Sequence, residues 1–461
     1  AFGGAGGTML DLARAITRLA ADVPTAAGIL AVHSAIGGVS AVAAFGSDEQ
    51  RARLLPQLAA GDPLSIFGAT EADAGCDLGR VTSLLERQDG RLFLTGTKMF
   101  ITGATYGRLV KILARLDGGP AIALVRLPAG DTDRFRLREY RLHPLKHSHN
   151  AALEFSRFEL NESDLLVPPP GSDAMAIVWH GLNRGRTTLA AQAAGTLRLL
   201  HAQAAAYAAE RQTWGKPIAT RQLVQGRLGR IAASIVACEA LAAWAAAAID
   251  AGAGGEWEAI VAKVVASNCV REAAIDSLGV HGGRAFLVGH PLGDSFHDHL
   301  AVGVYEGESD LLGLALFRGL AKGHPLADRE RRGPLAWAAW RANAWRRARS
   351  AADGQILDRH LRAHARAARH RLAGVAIRID RAIRRHGRSL AERQLEIGDL
   401  SAQVRDLVSV LAVAHHADAQ GDDHTVTAAD VWCRLALARA SGRRPAPADL
   451  AALARLGSAD C

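Results

Sequence analysis

Apolar residues recur at helical spacing at the start of the chain. Between residues 8 and 60 apolar positions recur at this spacing through Leu10-Asp11-Leu12-Ala13 and again from Ala35 to Phe45, where Gly46 ends the run. This spacing places apolar side chains on one face of a helix. The sequence therefore predicts helices over the first part of the chain.

The pattern changes at about Ser65. Short runs of β-branched and aromatic residues follow, and each run stops at turn residues such as Gly96 or Pro128. Alternation with frequent turns is typical of an antiparallel sheet, so we predict a small antiparallel β domain. The predicted strands are Arg91–Thr95, Leu109–Leu116, Ala121–Leu127 and Ala152–Phe155.

Helical spacing returns after the breaker Pro168-Pro169-Pro170-Gly171, in long Ala-rich periods suited to a helical bundle. The bundle helices are predicted at 174–210, 221–251 and 257–278. A second break lies at residues 322–325, and the remainder is again helical in period. The fold class is therefore α+β, in four predicted domains: 1–64 helical, 65–167 β, 168–322 helical bundle and 323–461 basic and helical.

Composition indicates a soluble globular protein in a reducing compartment, which we expect to be the cytoplasm. Of the 461 residues, 49% are hydrophobic, enough for a large core. The longest apolar stretches, such as Ile231–Ile249, are rich in Ala and lack the character of a membrane span, and no secretory signal is recognised. The five cysteines are scattered and form no Cys-x-x-Cys pair, which argues against disulfides and zinc.

The net charge of +9 belongs entirely to the last segment. Residues 1–322 carry 31 Lys and Arg against 31 Asp and Glu, whereas residues 323–461 carry 24 against 15 and contain no lysine. The densest part runs from Arg329 to Arg393. A cationic segment of this kind suits an anionic membrane surface or an acidic protein, and it is equally compatible with a solvated face.

Two other patterns carry less chemistry. The Gly-rich opening, residues 2–7, follows no strand and closes no βαβ unit, so it fails as a dinucleotide loop. The histidines at 143, 147 and 149 and the run His297-Asp298-His299 lack a further ligand cluster at a standard interval. We interpret them as structural or surface residues and predict no metal.

More specific is a set of motifs in a fixed order along residues 2–322. They are Leu54–Gly61, Phe67–Asp77, Thr95–Ala104, Gly181–Arg186, Glu210–Ile218, His281-Gly282-Gly283, and Asp298 with Tyr305-Glu306-Gly307. In these residues the chain resembles the acyl-CoA dehydrogenase family. The resemblance implies an FAD enzyme that oxidises an acyl-CoA to the trans-2-enoyl-CoA and passes electrons to an electron-transfer flavoprotein.

The resemblance also implies cofactor contacts. Phe67, Ala69 and Thr70 would line the flavin ring, and Phe100, Ile101 and Thr102 its other face, where the Thr hydroxyl meets N5. Arg211 and Trp214 would reach the FAD pyrophosphate of a neighbouring subunit, which implies a homodimer, and a guanidinium suits phosphate oxygens. The remaining implied cofactor positions are Cys76, Arg221, Gln222, Gly279, Gly282, Gly283, Glu308 and Asp310.

For the substrate, the resemblance implies that Glu306 is the general base. Removing a proton alpha to a thioester needs a carboxylate whose pKa rises when substrate excludes water. Some relatives carry the base at the position of Gly185, which glycine excludes here. The other implied substrate contacts are Cys76, Asn183, Arg186, Tyr305 and Gly307.

Four positions depart from the family pattern: Cys76 stands for Ser, Gly279 for Gln, His297 for Arg and Glu308 for Thr. The charge of Glu308 near a phosphate site would be unfavourable unless a cation such as Arg211 pairs with it. Acyl-CoA oxidases look similar there, so oxygen is an alternative electron acceptor. A dehydrogenase of carrier-bound acyl groups is a further alternative.

Residues 376–440 resemble the additional helical domain of the very-long-chain branch of the family. That resemblance implies a dimer and contact with a membrane surface through 329–393, where Trp337, Trp340 and Trp345 accompany the arginines. An acyl-carrier protein is an equally coherent partner. A member without catalytic activity, serving as an assembly or nucleic-acid scaffold, is the alternative from another class, and retention of Glu306 argues against it and against nucleic acid.

Overall fold

The first helices begin where the sequence supplies their caps. A computed structural model describes residues 2–322, 324–326, 333–349 and 355–459. The Thr8 hydroxyl accepts from the Asp11 N–H at 3.1 Å, and the Asp11 carboxylate accepts from the Thr8 N–H at 2.9 Å, which is a capping box. Ser47 and Gln50 repeat this arrangement. The helices are α1 (Met9–Ala20), α2 (Pro24–Ala31), a π-helical turn (Val32–Ile36), α3 (Gly38–Phe45) and α4 (Asp48–Ala59).

An eight-stranded sheet follows, with the order β6-β7-β3-β2-β4-β5-β8 and β1 paired with β4. The prediction of an antiparallel domain was wrong for two pairs, since β1 and β2 both run parallel to β4. No hairpin turn joins either pair directly, so nothing forces their strands to be antiparallel. The strands are β1 (Leu64–Gly68), β2 (Leu84–Gln88), β3 (Arg91–Ile101), β4 (Gly107–Leu116), β5 (Gly119–Arg126), β6 (Phe135–Glu139), β7 (Ala151–Leu160) and β8 (Leu165–Leu166).

One face of the sheet packs against helices. Leu109 and Leu113 of β4 are buried together with Leu54 of α4 and with Ile177 and Leu182 of the next long helix. Leu109 and Leu113 are four positions apart, an even spacing that places their side chains on one face of the strand. Residue 111 lies between them in the same register, and it is a lysine.

The long helices predicted for the bundle are confirmed to within a few residues. They are α5 (Met175–Glu210), α6 (Gln222–Asp250) and α7 (Glu256–His281), and α8 (Pro291–Ala301) and α9 (Ser309–Lys322) follow. Two short strands, β9 (Gln212–Thr213) and β10 (Lys216–Pro217), form the hairpin between α5 and α6.

Two stretches are long and apolar enough to cross a membrane by length and composition alone. These are Pro24–Phe45, with 44% of its most apolar window buried, and Gln222–Asp250, with 61%. The expectation that none of the apolar stretches is a membrane span stays a prediction. Buried core helices meet the same criterion of length and composition, because they too are apolar on most sides.

The last segment is helical, as predicted. Its helices are α10 (Pro334–Arg349), α11 (Arg359–His386), α12 (Gln394–Gln420), α13 (Asp423–Arg439) and α14 (Pro447–Ala459). Asp380 of α11 is fully buried and accepts from the Trp337 indole N–H at 2.7 Å, with His324 at 3.0 Å. Residues 327–332 and 350–354 of the basic run and the side chain of Trp345 lie outside the described residues.

The chain packs into two compact units. Unit 1 comprises residues 1–192, 246–256 and 295–301, and unit 2 comprises residues 193–245, 257–294 and 302–461. The sheet and the first helices belong to unit 1, and the helices of the last segment belong to unit 2. The four-domain division read from the sequence stays a prediction.

Candidate active site

In unit 1, the segment predicted to line the flavin is anchored by a buried ion pair. Lys98 of β3 is fully buried, and its Nζ donates to Glu71 Oε1 at 2.6 Å. The Glu71 carboxylate also accepts from the N–H and hydroxyl groups of Thr82 and Ser83, at 2.6 to 3.0 Å. Burial opposes ionisation of Glu71, but these bonds outweigh it and lower its pKa to about 2.

The anchored turn presents three of the predicted cofactor residues. Thr70 lies beside Glu71, and its carbonyl accepts from the Met99 N–H at 2.8 Å, which ties the turn to β3. Ala69 is buried, and its carbonyl accepts from Lys98 Nζ at 3.3 Å. Cys76 is exposed at the far end of the turn.

Directly after Met99 in the chain, the Phe100-Ile101-Thr102 segment has an unusual backbone. Phe100 has φ +55°, in the left-handed region, and leaves 53% of its side chain exposed. Its ring lies 5.1 Å from the ring of Tyr140. Thr102 donates its hydroxyl hydrogen to Asn150 Oδ1 at 3.0 Å, which leaves the oxygen lone pairs able to accept. A strained residue with an exposed aromatic ring is typical of a ligand site.

Phe67 of β1 contacts a buried ammonium group. Lys111 Nζ lies 4.5 Å from the centre of the Phe67 ring, and Lys111 is fully buried with no hydrogen-bond partner among the described residues. Burial lowers the pKa of Lys111 to about 7. A Cβ at Gly181 would come within 2.6 Å of Nζ, so the glycine makes room for the ammonium group.

The predicted thioester contacts on α5 are buried within unit 1. Asn183 is 6% exposed and Arg186 is 5% exposed. The Asn183 amide donates to the Gly254 carbonyl at 3.2 Å. Asp298 accepts from the Leu145 N–H, and burial raises the pKa of Asp298. His297 lies beside His143, with the ring centres 5.3 Å apart.

In unit 2, the predicted pyrophosphate contacts surround the β9–β10 hairpin. Trp214 has φ +47° and is 89% exposed, and Arg221 lies 5.5 Å from its ring centre. Arg211 is exposed, and no carboxylate among the described residues pairs with it. Gln222 begins α6 directly after Arg221.

The departure at Gly279 has a structural reason. A Cβ there would come within 2.4 Å of the Arg227 guanidinium, so a larger residue would displace that group. Arg227 and Arg230 both approach Asp276, at 3.8 and 2.8 Å. At Gly282 and Gly283, by contrast, an added Cβ would meet nothing within 4 Å.

Glu306 lies on the loop between α8 and α9. Its φ is +58° and that of Gly307 is +100°, so two successive residues have left-handed backbones. Glu306 and Tyr305 are half-buried, whereas Val304 is 66% exposed. At Gly307 an added Cβ would approach Leu312 to 3.0 Å, which favours glycine twice over.

Glu308 has a role that the sequence did not suggest. Its Oε2 accepts from the N–H groups of Asp310 and Leu311 at 2.9 and 3.0 Å, so it caps the N-terminus of α9. A carboxylate is favourable there because the helix end carries free N–H donors and partial positive charge. The sequence suggested that the charge of Glu308 needs a cation such as Arg211, but the N-terminus of α9 compensates the charge instead.

The residues present fit an FAD. Phe100 offers an exposed aromatic face, Thr102 a hydroxyl and Arg211 a guanidinium without a carboxylate partner in the described part of the chain. The open backbone at Gly282 and Gly283 leaves room for a ligand to approach closely. The candidate contacts within each unit therefore have the donors and apolar surfaces that a flavin dinucleotide requires.

Sequence reasoning missed the residues that support these contacts. Lys98 lies inside the Thr95–Ala104 motif without an implied role, and none of the motifs contains Lys111 or Lys263. A signal exists for Lys111 and Lys263, because each is a single charge within an apolar run, as in Val261-Ala262-Lys263-Val264-Val265. A lysine at a core position is rarely buried without a specific partner. Asn150, which binds Thr102, carried no comparable signal.

Known proteins share both sequence and structure with this chain. The patterns described as "Acyl-CoA dehydrogenase, N-terminal domain" and "Acyl-CoA dehydrogenase, C-terminal domain" match residues 1–62 and 175–321. An acyl-CoA dehydrogenase of Bacillus subtilis is 30% identical over 325 residues, which cover 70% of this chain and 85% of that protein. The acryloyl-CoA reductase (NADH) of Anaerotignum propionicum is 29% identical, with 70% and 82% covered.

Solved structures agree. An acyl-CoA dehydrogenase from Bacillus anthracis, complexed with FAD, has a TM-score of 0.83 at 19% identity and covers 99% of this chain and 82% of its own. Because that coverage includes the last segment, the fold with additional C-terminal helices is confirmed. The glutaryl-CoA dehydrogenase of Mycobacterium smegmatis is 27% identical, with a TM-score of 0.63 and 69% and 81% covered. The chain therefore belongs to the acyl-CoA dehydrogenase family, whose members are flavin-dependent oxidoreductases with FAD as cofactor.

Proposed function

We propose that this protein oxidises a medium- to long-chain acyl-CoA to the trans-2-enoyl-CoA, with Glu306 as the general base. The carboxylate would take the proton from the alpha carbon while the beta hydrogen leaves with its electron pair, so that a C2–C3 double bond forms. FAD, when bound, supplies the acceptor for that hydride. The observation that carries the proposal is the half-buried Glu306 on a left-handed backbone, and the resemblance to the family implies the role of base for this residue.

The loop geometry supports this role. A non-glycine residue with a left-handed backbone costs on the order of 1 kcal/mol or more, and folds retain such residues mainly at functional sites. Gly307 beside it has φ +100°, where a side chain would strain the backbone and meet Leu312. Gly185 of α5 offers no carboxylate at the alternative base position.

The test is an anaerobic titration of the purified flavoprotein with butyryl-, octanoyl- and palmitoyl-CoA. Wild-type flavin absorbance should bleach, and Glu306→Gln should bind FAD with an unchanged spectrum yet bleach at least about 1,000-fold more slowly, because the amide cannot accept the proton. Glu272→Gln, which alters an exposed carboxylate of α7, is the matched control and should bleach as the wild type does. Normal bleaching by Glu306→Gln would refute the base assignment.

The same experiment addresses the electron acceptor. We propose an electron-transfer flavoprotein, and admission of air after bleaching tests it. Slow reoxidation by air and fast reoxidation by an electron-transfer flavoprotein are expected of a dehydrogenase. Fast reoxidation by air would instead favour an acyl-CoA oxidase.

A carrier-bound acyl group is a second candidate substrate, favoured by the exposed face of α11. Arg381 and Arg385 lie one helical turn apart on that face, and neither pairs with a carboxylate among the described residues. The carrier proteins that hold such acyl groups are acidic, so the charges complement each other. Arg381→Glu with Arg385→Glu should lower kcat/KM for the carrier-bound form and leave that for the acyl-CoA unchanged.

We also propose that the protein forms a homodimer. A homodimer would bring Arg211 and Trp214 of one subunit to the FAD of the other, which suits the 89% exposure of Trp214. We further propose a cytoplasmic protein that contacts anionic membranes through its basic residues 329–393. Sedimentation with anionic and neutral vesicles, before and after removal of residues 323–461, tests that contact.

A further inference from the structure

Lys263 of α7 is completely buried, and its ammonium group points into the loop that carries Glu306. Nζ donates to the Gly307 carbonyl at 2.6 Å, to the Gly303 carbonyl at 3.3 Å and to the Ser309 hydroxyl at 3.4 Å. An ammonium group has three N–H bonds that point in different directions, so it can donate to three oxygens at once. These oxygens lie on both sides of Glu306 in the chain.

The loop itself is closed by a second set of bonds. Ser309 donates its N–H and its hydroxyl to the Gly303 carbonyl, at 3.0 and 3.1 Å. The Ser267 hydroxyl, one turn along α7 from Lys263, shares its single hydrogen between the Lys263 carbonyl at 2.6 Å and the Val302 carbonyl at 3.1 Å. One face of α7 thus supplies both donors that hold the backbone of the loop.

This support matters because the loop is strained. Glu306 and Gly307 have φ of +58° and +100°, and only strong surrounding contacts keep a glutamate in that region. The shortest bond of Lys263 is to the carbonyl of Gly307, so it fixes the peptide plane between Gly307 and Glu308. Together with the bond to the Gly303 carbonyl, it holds the backbone on both sides of Glu306.

We propose that Lys263 is a positioning residue that holds Glu306 in its productive orientation for proton abstraction. The inference rests on the proposed role of Glu306. Lys263 acts through the backbone on either side of Glu306, and a base misplaced by about 1 Å can lose on the order of 100-fold in rate. Lys263 therefore determines the rate of alpha-proton removal, while substrate affinity depends on other residues.

The test compares Lys263→Met and Lys263→Gln with the wild-type holoenzyme. Methionine keeps the shape without any donor, and glutamine keeps a neutral donor. We expect unchanged flavin spectra and half-saturating octanoyl-CoA concentrations within about threefold, whereas bleaching slows by about 10- to 100-fold in Lys263→Met and less in Lys263→Gln. Exchange of the alpha hydrogens of octanoyl-CoA with deuterated water, followed by mass spectrometry, should slow by the same factor.

A second measurement separates positioning from general loss of structure. With alpha-deuterated octanoyl-CoA, the isotope effect on bleaching should be larger in Lys263→Met than in the wild type, because proton removal becomes more strongly rate-limiting. Should Lys263→Met fail to fold, Lys263→Gln gives the same readouts. Bleaching and exchange within twofold of the wild type in a folded variant would overturn the proposal.

The parallel Glu306→Gln variant keeps the two ideas apart. If Glu306→Gln abolishes bleaching while both Lys263 variants behave normally, only the positioning role is wrong. If Glu306→Gln bleaches normally, the base assignment is wrong, and the role of Lys263 is overturned with it.

Discussion

Two buried lysines support two loops of this protein by different means. In unit 1, Lys98 meets the carboxylate of Glu71 at 2.6 Å and so neutralises a charge inside the fold. In unit 2, Lys263 donates to the carbonyl oxygens of Gly303 and Gly307 and so fixes the backbone of a loop. The first arrangement acts mainly on stability, and the second acts mainly on the shape of a loop.

Lys111 sharpens this comparison because it has neither kind of partner in the described part of the chain. It contacts the Phe67 ring at 4.5 Å and packs close to Gly181. Burial of an ammonium group without a hydrogen-bond acceptor is unfavourable, and an aromatic face compensates only in part. The three lysines therefore differ in their effect on the stability of the fold. Lys98 and Lys263 stabilise the structure around them, and Lys111 destabilises it.

The largest effect is expected from breaking the ion pair of unit 1. Glu71→Gln leaves Lys98 buried without a countercharge, and loss of one partner of a buried pair costs about 3–5 kcal/mol of unfolding free energy. Chemical denaturation of the wild type and variant at neutral pH measures this. Adding Lys98→Met to Glu71→Gln should recover a large part of the loss, because the unpaired charge is removed as well.

The pH dependence gives a control on that interpretation. The folded pKa of Glu71, about 2, lies below its ordinary value of 4.5, so its contribution is complete above about pH 4.5 and is lost as the pH falls toward 2. The difference in stability between wild type and Glu71→Gln should therefore shrink in acid. A difference that stays constant down to pH 2 would contradict the ion-pair explanation.

A smaller effect of opposite sign is expected at Lys111. Lys111→Met removes a buried charge and keeps the length of the side chain, so it should raise the unfolding free energy by roughly 2 kcal/mol near pH 6. The folded pKa, about 7, lies below the ordinary 10.5, so the penalty is complete below pH 7 and disappears as the pH rises toward 10.5. Thermal unfolding of both proteins from pH 6 to pH 10 checks this, and a variant that is less stable at pH 6 would contradict it.

The sequence predicted the helices and strands more readily than the residues that hold the site loops in place. Helical and alternating spacings located α5, α6, α7 and the central strands, because those patterns follow from which faces are buried. The ordered motifs led to Glu306 and the family. The parallel pairing of β1 with β4 and the partners of Lys263 depend on contacts between distant parts of the chain, which no local pattern contains. The capping role of Glu308 could not be predicted for a related reason. The N–H groups of Asp310 and Leu311 need a cap only because α9 begins at Ser309, and the sequence alone did not locate that start.

Glu308 also gives the smallest expected effect. Glu308→Ala removes the cap of α9 and should lower the unfolding free energy by about 1 kcal/mol, whereas Glu308→Thr, which retains a capping oxygen, should lose less than half of that. Chemical denaturation of the two variants side by side measures the difference, and FAD titration of the apoproteins should give equal affinities. If Glu308→Ala keeps full stability but loses FAD affinity, Glu308 contacts the cofactor as the resemblance implied. In that case a carboxylate next to the Glu306 loop is held for the ligand rather than for the helix.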